Sequence, residues 1–179
     1  MKTKAVVLCP GPSLKEFAGR NGYGLVIGVN RAGNVEKCDY LVALDPHTPG
    51  WCDLRHRPTL VCARTVRDEA ILDCEAVKHL PFLELSKDWL GPGAPKWWTK
   101  SLTTALVLAF VKGADAIDCY GVDWQGIEDF DGFTDARQKR GRERWKKEIR
   151  LVRDICKELL DRNVRIAGIP IPEAKKRGK

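Results

Sequence analysis

A chain of 179 residues, 44% apolar and 31% charged, is sized for one domain that buries roughly two-thirds of the surface its unfolded form exposes. The net charge of +7 is uneven, because from Arg137 onward 16 Lys and Arg stand against 6 Asp and Glu, leaving residues 1–136 slightly acidic. Seven cysteines, an odd number with no C-x-x-C spacing, argue against a disulfide scaffold or a zinc finger and for reduced thiols in a cytoplasmic protein. The first ten residues are too weakly apolar for a signal peptide, and no run of eighteen apolar residues provides a membrane span.

The first predicted element is a short apolar strand over 5–9, which runs into Pro10-Gly11-Pro12-Ser13-Leu14-Lys15 and a helix over 12–18. A strand, a glycine turn and a helix start are how α/β proteins hold nucleotide phosphates. Gly11 lets the backbone approach a ligand, Pro12 suits the first helical turn, and Ser13 offers a hydroxyl beside backbone donors. The same turn also serves as an ordinary βα connection, and the string is neither a Walker loop nor G-x-G-x-x-G. Further apolar runs at 25–29, 40–44, 59–62, 116–120 and 164–167 are too continuous for one-sided strands and read as buried parallel ones. Helices are predicted at 65–76, 101–112 and 140–162. In the last, Trp145, Ile149, Val152, Cys156 and Leu159 recur at alternating steps of four and three, so one face is apolar and the rest charged.

Strands alternating with helices predict a single doubly wound, Rossmann-like α/β domain over 1–169, with a mostly parallel sheet and a long C-terminal helix. Residues 170–179 read as a basic, flexible tail. Residues 86–100 contain Trp89, Trp97 and Trp98 among Gly and Pro. They are expected to form a lid over the site, with local packing of the tryptophans as the alternative.

Polar residues fall at the ends of several predicted strands. Asn30 closes the second, Asp45-Pro46-His47 the third, and Asp123 follows the strand at 116–120, while Ser101 opens the helix before it. Each alone is a common cap or turn former. Together they would line the carboxyl edge of the sheet, where ligands of such folds bind. Asp123, Asp129 and Asp131 are hard oxygen ligands close in sequence and suit Mg²⁺ bridging phosphates, although Asp-Phe-Asp-Gly also reads as a turn. His47 is the best-placed candidate base.

In order, GPSLKE, a strand ending in Asn30, a strand ending in Asp45-Pro46, S-x-x-x-A-x-x-x-A and GVDW resemble the bacterial sialyltransferases of the GPSL type over residues 4–125. More loosely they resemble the wider group with the archaeal 6-hydroxymethyl-dihydropterin diphosphokinases. The resemblance implies that Gly11, Pro12, Ser13, Asn30, Asp45 and Ser101 contact a nucleotide or nucleotide-sugar. Those sialyltransferases use a His base and two Tyr hydroxyls beyond the Gly-Ile-Asp block. This chain has no His after His79 and no Tyr after Tyr120. Arg137, Arg140, Arg142 or Arg144, or Mg²⁺, would then have to meet the leaving phosphate.

The expected function is a nucleotide-dependent transferase, first a glycosyltransferase with Asp123, His47 and Arg144 as catalytic candidates. A Mg²⁺-dependent pyrophosphoryl transferase and a non-catalytic nucleotide-binding protein are the alternatives. The basic 137–179 region adds a nucleic-acid-modifying enzyme as a further one.

Overall fold

The structure, a computed structural model, describes residues 3–44, 59–62, 79–81, 89–91, 93–124, 129–132 and 142–170, apart from the side chains of 62, 79–81 and 142–144. Strands β1 (Thr3–Leu8), β2 (Leu25–Val29), β3 (Tyr40–Ala43), β4 (Thr59–Cys62), β5 (His79–Pro81), β6 (Ala114–Tyr120) and β7 (Arg165–Ala167) form one sheet in the order β5-β4-β3-β2-β1-β6-β7. Every neighbouring pair is parallel. The chain steps outward from β1 to β5 and then returns to lay β6 on the other side of β1. The winding therefore reverses between β1 and β6, and their carboxyl ends form the switch point at which open α/β sheets bind ligands.

Alternation along β1 shows why its run is apolar throughout. Ala5 and Val7 join one core cluster and Val6 and Leu8 the other, all with no exposed surface. Helices α1 (Ser101–Val111) and α2 (Arg142–Leu160) supply residues to the first cluster. From Leu102 to Ala109 every residue of α1 is buried, Thr103 and Thr104 included, so it lies sandwiched between sheet and neighbours rather than on the surface. Helix α2 buries Val152, Ile155, Cys156 and Leu159 and leaves Lys146, Lys147, Arg150 and Lys157 exposed. Its apolar stripe is the predicted one, widened by Ile155. On the opposite face, Leu14 and Ala32 come from short 3₁₀ turns, with Phe17, Tyr23, Tyr120 and Phe130 packed alongside.

Several expectations are revised. The helix predicted at 12–18 is a 3₁₀ turn, Pro12–Glu16, with Pro12 in its first turn. Residues Asn30–Asn34 form a second 3₁₀ turn, and β5 is a strand that the sequence reading did not separate. The helix predicted at 65–76 lies outside the described residues, as does the tail beyond Pro170. Trp97 is not part of an exposed lid. It has no exposed surface, stacks on Trp89 with ring centres 5.4 Å apart and meets Trp98 edge-on at 5.7 Å. Its carbonyl accepts the Thr103 hydroxyl at 2.5 Å and the Thr104 hydroxyl at 3.3 Å. The described tryptophans thus tie the approach to α1 into the core.

Among the described residues no helix is long and apolar enough to cross a membrane. Cys9, Cys38, Cys119 and Cys156 are free and buried, and burial pushes their thiols up, to about 12 for Cys38 and about 11 for Cys156.

Candidate active site

Three turns converge at the carboxyl ends of β2, β1 and β6. The β1–β6 ladder continues past both strands, since the amide of Cys9 donates to the Tyr120 carbonyl at 2.8 Å and that of Gly11 to the Gly121 carbonyl at 3.0 Å. Such closeness requires glycine on both sides. A Cβ on Gly11 would lie 2.5 Å from Asp123 Oδ2 and 2.5 Å from the Gly121 carbonyl oxygen. Gly121 has φ +72°, and a Cβ there would lie 1.9 Å from the Cys9 carbonyl oxygen. The glycine in front of Ser13 is accordingly occupied with packing against β6 and its turn.

Asp123 is what these glycines make room for. Its Oδ2 accepts the Ser13 amide and the Ser13 hydroxyl, each at 2.8 Å. The donors expected to wait for a phosphate are therefore satisfied by a carboxylate of the chain itself, held 110 residues away in sequence. A carboxylate with two donors on one oxygen retains acceptor capacity on the other oxygen.

Asn30 follows β2 with φ +51°, a left-handed conformation that Asn tolerates better than most side chains. Its Oδ1 is buried and finds no hydrogen-bond partner among the described residues. A buried acceptor left this way carries a desolvation cost of about 1–3 kcal/mol that a ligand donor would relieve. Ser101, at the start of α1, accepts the Leu44 amide at 3.4 Å just beyond β3, and its hydroxyl proton stays available to a further acceptor. The structure thus brings Gly11, Pro12, Ser13 and Asp123 together, sets Asn30 on the adjoining strand end and puts Ser101 at the end of β3. Asp45 and His47 lie outside the described residues. Arg144 lies in the first turn of α2, and its side chain is outside the description.

The carboxylates expected to hold Mg²⁺ are engaged otherwise. Arg31 donates to Asp131 through both terminal nitrogens, at 3.0 Å from Nη1 to Oδ1 and through Nη2 to Oδ2. Its Nη1 also lies 3.7 Å from Asp129 Oδ2. Among the described residues no three His, Cys, Asp or Glu side chains are grouped to hold a metal ion. The reason is electrostatic, since a guanidinium already stands between Asp129 and Asp131, and Asp123 turns to Ser13. The segment carrying them is drawn to the β1 turn by the Phe130 amide, which donates to the Pro10 carbonyl at 2.7 Å. Arg31 was not anticipated. Its signal was its place directly after Asn30 at a strand end, with two acidic residues a hundred positions on that no local pattern links to it.

No protein-family model matches the chain, and no curated protein matches it. Solved structures do, two sialyltransferases among them. The sialyltransferase CstII from Campylobacter jejuni in complex with the substrate analogue CMP-3FNeuAc is 14% identical with a TM-score of 0.51, covering 97% of this chain and 83% of that one. The sialyltransferase CST-II in complex with a trisaccharide acceptor and CMP is 14% identical with a TM-score of 0.52, covering 96% and 88%. At that identity the likeness is one of fold, and it extends over nearly the whole of this chain.

Proposed function

We propose that this chain is a glycosyltransferase of the sialyltransferase kind, taking a nucleotide-sugar donor at the carboxyl edge of its sheet. The observation that carries the reading is the convergence of Ser13, Asp123 and Asn30 at the β1/β6 switch point of a fold shared with enzymes solved with CMP-bearing ligands. In this reading Ser13 is the residue that fixes Asp123, and Asp123 accepts from a donor group of the nucleotide, such as a ribose hydroxyl. Asn30 supplies the buried acceptor that the nucleotide satisfies, and Ser101 donates to it from the start of α1. Gly11 and Pro12 shape the turn. Asp45 and His47 are proposed to border the same edge after β3, with His47 as the base that takes the acceptor's proton.

Transfer breaks the bond between the anomeric carbon and a phosphate oxygen and forms one to the acceptor oxygen. Negative charge grows on the phosphate as the proton leaves the acceptor. Interactions that strengthen with that charge are the ones that accelerate the step. Arg144, on the first turn of α2, remains a candidate for it. No step is routed through Mg²⁺, because the described carboxylates are turned to Ser13 and Arg31.

The test is a thermal-shift screen of CMP, CDP, UDP, GDP, ATP and their sugar conjugates with and without Mg²⁺. A ligand at a hundred times its dissociation constant stabilises by about 2.7 kcal/mol, a shift of several degrees. CMP or a CMP-sugar is expected to raise the melting temperature equally with EDTA present. Asn30→Asp, which keeps a residue tolerant of the left-handed backbone, should weaken that response, and a CMP-sugar should release CMP in the presence of an acceptor. If no nucleotide in the panel shifts the melt, the reading is wrong.

A further inference from the structure

We infer that Arg31 is the cation that receives the donor's phosphate, and that Asp131 and Asp129 are the chain's own competitors for it. The inference rests on the nucleotide-donor reading above and names the group in that site that meets the anion.

Position is the first argument. Arg31 follows Asn30 directly, on the turn that leaves β2. Its guanidinium reaches residues 129–131, which are bound to the turn after β1 through the bond from Phe130 to Pro10. Since Pro10 belongs to the turn after β1, the guanidinium links the turn that leaves β2 to a segment tied to the turn that carries Gly11 and Ser13. A cation is thereby placed next to Asn30 in the chain and against a segment bound to the turn after β1.

Geometry is the second. The fork gives two N–H groups to the two oxygens of Asp131 and approaches an oxygen of Asp129, an array of three acidic oxygens like the one a phosphate offers. The Arg31 side chain is only 15% exposed, so its charge is poorly screened, and the contact is worth more than a surface ion pair. The two carboxylates are unequal. Asp129 is 5% exposed, whereas Asp131 is 34% exposed and already borders water, so Asp131 is the one that another anion would displace. Ser13, whose donors Asp123 satisfies, does not compete for the role, and no His or Tyr follows Tyr120 in the sequence; Arg144 is kept for the charge that grows only as the bond breaks, and Arg31 for the phosphate of the bound donor.

The experiment measures dissociation constants by calorimetry at low ionic strength for four pairs: CMP and cytidine, UMP and uridine, GMP and guanosine, AMP and adenosine. Wild type is compared with Arg31→Met and Asp131→Asn. Arg31→Met should weaken the monophosphate at least about tenfold, the size expected for a charged hydrogen bond, and leave the nucleoside unchanged. Asp131→Asn should act in the opposite direction, tightening the monophosphate roughly two- to fivefold by removing a competing charge, again without affecting the nucleoside. An ion pair with only a structural role predicts that both variants shift in the same direction, with nucleoside and monophosphate moving together. That result overturns the inference. Should Arg31→Met fold poorly, Asp131→Asn retains the arginine and decides alone, since unchanged or weaker monophosphate binding refutes it. Equal wild-type affinity for a nucleoside and its monophosphate sinks the Arg31 assignment while leaving the nucleotide reading intact. Binding of none of the eight compounds sinks both.

Discussion

Replacing Gly11 by alanine tests how tightly the β1 turn is built onto Asp123. Gly11 has φ −68° and ψ 164°, a conformation any residue adopts, so the substitution carries no backbone strain. By itself it would stabilise by about 0.4–1 kcal/mol through the unfolded chain. Against this, the new methyl would lie 2.5 Å from both Asp123 Oδ2 and the Gly121 carbonyl oxygen, and neither yields easily. The carbonyl is backbone in the β6 turn, and the carboxylate is held by two bonds from Ser13 at 2.8 Å. Overpacking costs about 1–3 kcal/mol, and expelling the carboxylate forfeits charged hydrogen bonds of about 1.5–3 kcal/mol. The net expectation is a loss of about 2–4 kcal/mol, or roughly 4–16 °C in melting temperature for a domain of this size. Differential scanning calorimetry of Gly11→Ala beside Ser13→Ala gives the comparison. Ser13→Ala removes the hydroxyl bond and keeps the amide bond, so it should lose clearly less. A Gly11→Ala protein that melts within a degree of wild type and above Ser13→Ala would refute the account of the turn.

Trp97→Ala should lose about 3–5 kcal/mol, as large buried aromatics do, and Trp97→Phe much less; unchanged stability in a denaturant titration, with a changed acceptor KM, would return Trp97 to the role of a lid. Asp118 gives a pH signature. Burial works against its carboxylate, but the Tyr23 hydroxyl at 2.7 Å and the Lys4 ammonium at 2.8 Å outweigh this and hold it below the ordinary range. A depressed folded value means stability that is complete above the unfolded value of about 3.9 and lost as pH falls through the folded one. Asp118→Asn should therefore be about 1 kcal/mol less stable at pH 7, a small figure because Lys4 is 49% exposed, with the difference closing toward pH 2.5 in melts across that range. A gap that stays constant down to pH 2.5 would show that the ion pair contributes nothing.

What the sequence disclosed, and what it withheld, follows from the range of the forces involved. Six of the seven strands and the apolar stripe of α2 were legible because burial on both faces, or on one stripe, leaves a periodic mark within a few neighbouring residues. β5 escaped because three residues, His79–Pro81, are too few to show a period. The described polar strand ends share the carboxyl edge of the sheet, as their positions in the sequence imply. Their partners could not be read. That Ser13 binds Asp123, and that Asp129 and Asp131 face Arg31, are pairings over about a hundred positions set by strand order and not by local pattern. Asp123, Asp129 and Asp131 resemble a metal site in sequence because they lie close along the chain, which conceals that Arg31 meets Asp129 and Asp131 while Ser13 holds Asp123. The tryptophans of residues 86–100 misled similarly, since Gly and Pro around them signal irregular backbone but not exposure, and Trp97 is buried.

The position of β1 inside the sheet, between β2 and β6, has consequences for how the chain is made. β1 is synthesised before any of its sheet partners, yet its second neighbour, β6, ends at Tyr120. Until then β2, β3 and β4 can zip onto one side of β1, while the other side of Ala5-Val6-Val7-Leu8 presents unpaired amides and apolar side chains, the template on which chains pair wrongly. Closure over so long a separation is slow. Because the turn after β6 arrives with it, the contact from Ser13 to Asp123 forms in the same late event that seals the sheet. A nascent chain stopped short of residue 120 would lack the anion of its own site and keep an open β1 edge, so substitutions that slow the arrival of β6 should increase aggregation more than their effect on the melting temperature of the finished protein would indicate.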